Sequence, residues 1–207
     1  MRLYLSSFRL GNHIDDLQTL LPSGSKVLIV CNALDNMDHS IQKAIYQREE
    51  SSLLSLGYET SQLDLQNYFN PSKELEKKLL NCDGLWVTGG NAFILNKAFH
   101  LSGLTSILKK LILNNQLVYA GYSAGIVVMG HTLKGIELVD DVHDHPRSYP
   151  PCHVLWEGLS IFNHAIVPHY RSQHSESAKI EKVIQLYQKH QIPYKALSDG
   201  DVIIIDD

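Results

Sequence analysis

Cysteine is scarce in this chain, and its three copies, Cys31, Cys82 and Cys152, are odd in number and widely spaced. That excludes a disulfide framework, and no paired-cysteine spacing of a zinc site occurs. Reduced thiols and a cytoplasmic protein are the expectation. Long apolar runs are missing too: none approaches the ~20 residues that a membrane-spanning helix needs. The apolar part of Met1–Phe8 is too short for a signal peptide. A basic excess is also lacking, with 18 Lys and Arg against 22 Asp and Glu and a formal net charge of -4, which argues against a nucleic-acid partner. Repeats, low-complexity tracts and linkers are absent, so residues 1–207 read as one α/β domain. Histidine, by contrast, is abundant at 11 copies.

What is present alternates between strand and helix signals. Apolar runs at 2–8, 26–32, 58–65, 84–88, 117–120 and 161–170 read as strands, and a final pair at 194–197 and 202–205 reads as a terminal hairpin around Asp199-Gly200. Helical periodicity falls between them at 15–21, 40–56, 71–80 (opened by Pro71), 92–100, 104–113 and 175–190, the last with Ile180, Val183, Ile184 and Tyr187 on one face. Continuous apolar strands such as Val27–Val30 belong to sheets covered on both sides. The expected fold is an open, mostly parallel sheet with helices on both faces. Residues 131–157, rich in His, Asp and Pro, read as a long irregular excursion of the kind that builds sites.

The most informative stretch is Leu117–Gly130. A buried strand passes through Gly121-Tyr122-Ser123-Ala124-Gly125 into a second apolar run. Strand, Gly-x-Ser-x-Gly and helix is the pattern of a nucleophile elbow, in which a strained turn lifts the serine hydroxyl above the sheet. The following helix aims N–H groups at the serine, where negative charge can be held.

A serine hydroxyl needs a base, usually a histidine oriented by a carboxylate. His169 ends a strand, as Ser123 does, and functional groups gather at such ends in open α/β sheets; His164 lies inside the strand. For the carboxylate, Glu137, Asp140, Asp141 and Asp199 all qualify, and spacing does not choose among them. Gly89-Gly90-Asn91 follows a strand and opens a helix, so its backbone N–H groups, with that of Ala124, could form an oxyanion hole, while Asn91 caps the helix. The histidines of the excursion, His131, His143, His145 and His153, match no standard zinc spacing.

Taken in order, Gly89-Gly90-Asn91, Gly121–Gly125, Pro168-His169-Tyr170 and Leu197-Ser-Asp-Gly200 resemble the peptidase E family of serine peptidases, family S51, from about residue 26 onward. The resemblance implies a flavodoxin-like or class I glutamine-amidotransferase-like fold. It implies Ser123 as nucleophile, His169 as base, and Gly90 and Ala124 as oxyanion donors, with Gly89 and Asn91 in the same loop. For the third member it offers Glu137 or Asp199; Asp199 is favoured, because the match there needs no gap. Aspartyl dipeptidases of the family resemble one another in an arginine after the catalytic histidine that pairs with the substrate aspartate. Residues 175–182 contain no arginine here, so Arg171 or Arg147 would have to stand in, and aspartate specificity is left open. The implied protein is a serine exopeptidase acting on short peptides, without metal or cofactor, as a monomer or homodimer. A cyanophycinase-like or other amidase is a variant of the same mechanism, and a catalytically silent metabolite binder on the same fold is the rival from another class.

Overall fold

The computed structural model describes residues 1–70 and 73–207. Its elements are β1 (Arg2–Ser6), α1 (Ile14–Leu20), β2 (Lys26–Val30), α2 (His39–Ser55), β3 (Glu59–Gln62), α3 (Lys73–Leu80), β4 (Gly84–Val87), α4 (Ala92–Leu101), α5 (Leu104–Leu113), β5 (Val118–Tyr122), α6 (Ala124–Val127), β6 (Ala165–Val167), α7 (Ser177–His190), β7 (Tyr194–Ala196) and β8 (Val202–Asp206). The expected start of the third helix at Pro71 lies outside the described residues.

Six strands form one sheet in the order β3-β2-β4-β5-β1-β8. All neighbours are parallel except β8, which runs antiparallel to β1 at the edge. Strand alternation divides the apolar side chains between the two faces. Leu3, Leu5, Leu28, Val30, Leu85, Val87 and Tyr119 point to one core, packed against α3 to α7. Tyr4, Val27, Ile29, Trp86, Val118 and Ala120 point to the other, covered by α1 and α2 through Leu17, Leu20 and Leu53. This is the doubly covered parallel sheet that the continuous apolar runs predict. No helix among the described residues is long and apolar enough to cross a membrane.

Two expectations need correction. The terminal hairpin does not form. β7 pairs in parallel with β6 in a separate two-stranded sheet, while β8 crosses to β1. The turn between them is closed by Asp201 N–H to Ser198 O at 2.9 Å. Crossing over lets Ile203 and Ile205 pack on one core and Val202 and Ile204 on the other, so burial on the large sheet outweighs local pairing. The strand expected over 161–170 is also short. The N–H groups of Ile161 and Phe162 bond Met129 O, so the chain wraps the end of the serine helix before extending.

On the α2 face a polar cluster is buried. Glu49, 3% exposed, accepts from Trp86 Nε1 at 3.0 Å, from Tyr122 Oη at 3.1 Å and from Arg48 Nη2 at 2.6 Å. Buried donors are costly to orphan. Glu49→Ala is therefore expected to lower stability by about 2–4 kcal/mol, read as a fall in Cm with an unchanged m-value. A loss under about 0.5 kcal/mol would mean that water replaces the carboxylate.

Candidate active site

From Leu117 to Gly130 every residue is buried except Ser123. It sits between β5 and α6 at φ +51° and ψ -118°, a left-handed conformation that is strained for a residue with a Cβ. Tight packing enforces it. A Cβ added at Gly125 would lie 2.5 Å from Val87 O, and one at Gly89 would lie 2.9 Å from Ser123 Cβ. Only glycine permits the turn to sit so close to β4. Tyr119 ties the turn down from below by donating to Gly125 O at 2.6 Å.

Two residues beyond the end of β6 stands His169, also at positive φ (61°). Its Nε2 is 3.1 Å from Ser123 Oγ and its Nδ1 is 2.7 Å from Asp199 Oδ1. The ring is 1% exposed, against 24% for the Asp199 side chain. Burial holds the imidazole below the usual histidine pKa. The bond to Asp199 opposes that, and charge on His174 adds to it. At neutral pH the ring is uncharged and able to accept a proton.

Of the four candidate carboxylates, geometry brings Asp199 alone to His169. Glu137 accepts from Gly135 N–H and faces a separate hollow with Lys134 and His190, away from Ser123. It is not among the groups that the structure brings to His169: its turn, Ile136–Leu138, folds locally on its own backbone. Asp140 and Asp141 do reach the cleft, but they serve other partners. Asp140 takes Ala92 N–H at 2.8 Å at the start of α4, and Asp141 takes His143 N–H at 2.8 Å. Burial pushes the Asp140 carboxyl up to about 7, the Ala92 bond offsetting part of this.

Gly90 adopts φ +138°, and a Cβ there would lie 2.5 Å from Ala33 O. Asn91 caps α4, its Oδ1 accepting from Phe93 and Ile94 N–H at 2.9 and 3.1 Å. Its Nδ2 donates to Asp141 O, which pins the excursion over the site. Among the described residues neither Gly90 nor Ala124 donates its N–H within the protein. Both border, with Ser123, a recess of about 10 Å³, the size of one small oxygen species. The recess opens beside a cleft of about 360 Å³ that contains Ser123, Gly89, Gly90, Asn91, His169 and His174.

Arg171 is elsewhere. Its side chain is 72% exposed, 3.6 Å from Glu181 and over the Tyr170 ring, and does not line the cleft. Arg147 is likewise exposed on the excursion. Arg48 is the guanidinium that does line it, and it is already paired with Glu49. The His, Cys, Asp and Glu grouping close enough to share a cation, among the described residues, is His169, His174 and Glu176. Among the described residues, the histidines of the excursion belong to no such grouping of three or more ligating side chains.

Sequence reasoning missed three residues. Ser7, fully buried after β1, accepts from His169 N–H at 2.9 Å and donates toward Asp199 Oδ1 at 3.1 Å, joining base and acid. Ser172 Oγ takes Asp199 N–H at 2.7 Å. His174 stacks on His169. None lies in a motif; a serine at a strand end carries no local signal of such use.

The family described as Peptidase family S51 matches residues 7–207. The chain is similar to a "Probable alpha-aspartyl dipeptidase" of Drosophila melanogaster, 28% identical over 60% of this chain and 50% of that protein. It therefore spans about half the length of that relative. It is also similar to "Peptidase E" of Streptomyces coelicolor, 26% identical over 95% of this chain and 74% of that one. A crystal structure of a protein assigned to peptidase E from Listeria monocytogenes EGD-e superposes with a TM-score of 0.79 at 21% identity, covering 99% of this chain and 93% of the other. That of a peptidase from an acI-B1 Actinobacterium gives 0.69 at 15%, covering 99% and 82%. At these identities the two structures speak for the fold.

Proposed function

The chain belongs to peptidase family S51, and from that premise we propose that it is a serine exopeptidase hydrolysing short peptides. The observation that carries the reading is the continuous line Ser123 Oγ, His169 Nε2, His169 Nδ1, Asp199 Oδ1, with contacts of 3.1 and 2.7 Å, at the mouth of one cleft.

In this reading Ser123 Oγ attacks the carbonyl carbon of the scissile bond as His169 Nε2 takes its proton. The tetrahedral oxyanion lodges in the recess, facing the N–H groups of Gly90 and Ala124. His169 then gives the proton to the departing amine as the C–N bond breaks, leaving an acyl ester on Ser123. Water, deprotonated by the same ring, hydrolyses that ester and restores the serine. Asp199 holds the imidazole in the tautomer with hydrogen on Nδ1. The excursion over the cleft restricts it to small substrates, and the three unpaired cysteines fit action in the cytoplasm.

The cleft's charge bears on specificity. Asp141, Asp144 and Glu176 line it, with Asp140 held about half protonated at neutral pH, and Arg48, its guanidinium among the described residues, is engaged by Glu49. A substrate aspartate would meet repulsion there, whereas a free amino terminus or a basic side chain would meet attraction. The test is a panel of Lys-Xaa, Leu-Xaa and Asp-Xaa dipeptides together with a fluorophosphonate probe. Labelling is expected at Ser123, and kcat/KM is expected to rank Lys-Xaa and Leu-Xaa at least about tenfold above Asp-Xaa. Asp-Xaa as the best substrate would refute the charge argument. Absence of both labelling and turnover would refute the peptidase reading.

A further inference from the structure

The rings of His169 and His174 lie face to face, centroids 3.7 Å apart and planes within 7°. His174 comes from the bend between β6 and α7 and is itself fixed. In the neutral ring its Nδ1 accepts from Glu176 N–H at 3.3 Å; the same nitrogen lies 3.8 Å from the Glu176 carboxylate, which it faces when the ring is protonated. Phe8 meets both rings edge-on, at 5.9 Å from His169 and 5.5 Å from His174.

The stack supplies something that the other contacts of His169 do not. Its two side-chain hydrogen bonds leave from opposite nitrogens, so together they define an axis across the ring. They resist sliding and in-plane turning, but hydrogen bonds bend easily out of the ring plane, so they oppose rotation of the ring about Cβ–Cγ only weakly. That rotation carries the Nε2 lone pair off the line to Ser123 Oγ. A flat partner on one face opposes that motion.

We propose that His174 is a positioning residue whose imidazole, anchored by Glu176 and backed by Phe8, fixes the tilt of the His169 ring toward Ser123. The proposal rests on the reading of His169 as the base. His174 does not border the oxyanion recess, and it acts through the ring it covers.

The same contact couples the two rings electrically. Asp199 faces His169 from the turn before β8, and Glu176 and His174 face it from the segment before α7. Across the cleft stand Asp140, Asp141 and Asp144 from the excursion and Arg48 from α2. Of these, charge on His174 lowers the pKa of His169, while Asp199 and Glu176 raise it. Removing the His174 charge therefore raises the pKa of His169. The base must be neutral to act, so the acid limb of kcat/KM moves to higher pH.

Two variants separate tilt from charge. His174→Phe keeps a flat ring without a charge. It is expected to hold kcat within about threefold of wild type and to shift the acid limb upward. His174→Ala loses ring and charge; the same upward shift is expected, with kcat reduced about tenfold or more and KM within about twofold. The titration midpoint of the His169 Cε1–H resonance, followed by NMR in both variants, reads the coupling without any turnover. An active wild type whose His174→Ala variant keeps full kcat and an unmoved midpoint overturns the proposal alone. A rise in KM with kcat and midpoint unchanged also overturns it, because His174 would then be a substrate contact. A midpoint that moves in a protein without peptidase activity would sink the peptidase reading and leave the coupling of the rings established.

Discussion

Ser123→Ala is expected to lower kcat on every peptide the wild type hydrolyses by on the order of 10³-fold or more, with KM and melting temperature nearly unchanged. The substitution is clean because alanine keeps the Cβ. The strained backbone at φ +51° is strained to the same degree in both proteins, and the close approach of the serine Cβ to Gly89 is retained. Only Oγ is lost, and with it the contact to His169 Nε2. The oxyanion recess between Gly90 and Ala124 survives, so a residual rate above that of water is expected. Steady-state kinetics with a melting curve check the result. A variant within tenfold of wild type would mean that water, not Ser123, attacks the peptide. The site would then be a hydrolase built around His169 acting on solvent.

Asp199→Asn is the second large effect, expected to cost on the order of 10²- to 10⁴-fold in kcat/KM with the fold intact. Asp199 Oδ1 accepts from His169 Nδ1 at 2.7 Å and from Ser7 Oγ at 3.1 Å. An asparagine that turns its amide NH₂ to the ring selects the tautomer with hydrogen on Nε2, which has no lone pair for the Ser123 proton. The pH profile supplies an independent check. Asp199 raises the pKa of His169, so its loss lowers that pKa. The activity that remains persists to lower pH, opposite in sign to His174→Phe. Glu137→Gln is the control, expected within about twofold of wild type, because Glu137 bonds its own turn and faces another hollow. A large loss in Glu137→Gln with a mild one in Asp199→Asn would reverse the assignment of the acid.

Much of the framework was legible in the sequence. The unbroken apolar runs of β2, β4 and β5 declare a sheet covered on both faces, since alternate residues of each strand must be buried on opposite sides. Where local and distant demands compete, the sequence misleads. Asp199-Gly200 reads as a hairpin turn, yet the edge of β1 and the apolar surface beside it draw β8 away from β7.

The site divides in the same way. Gly-Tyr-Ser-Ala-Gly between two apolar runs determines the elbow at Ser123, because the preferences that bend the backbone there belong to neighbouring residues. The Gly-Gly-Asn turn and its helix cap are local for the same reason. What only the tertiary structure decided is which distant groups meet that serine. His169 is 46 residues away, Asp199 another 30, and Ser7 lies 162 residues before the histidine whose N–H it accepts. Glu137, Asp140, Asp141 and Asp199 are chemically alike, and no local preference ranks them. Strand order ranks them, by laying β5 beside β1 and sending the turn before β8 back over the end of β1. Hydrogen bonds of about 3 Å are read off side chains brought together by burial of the sheet, and that burial is a property of the whole chain.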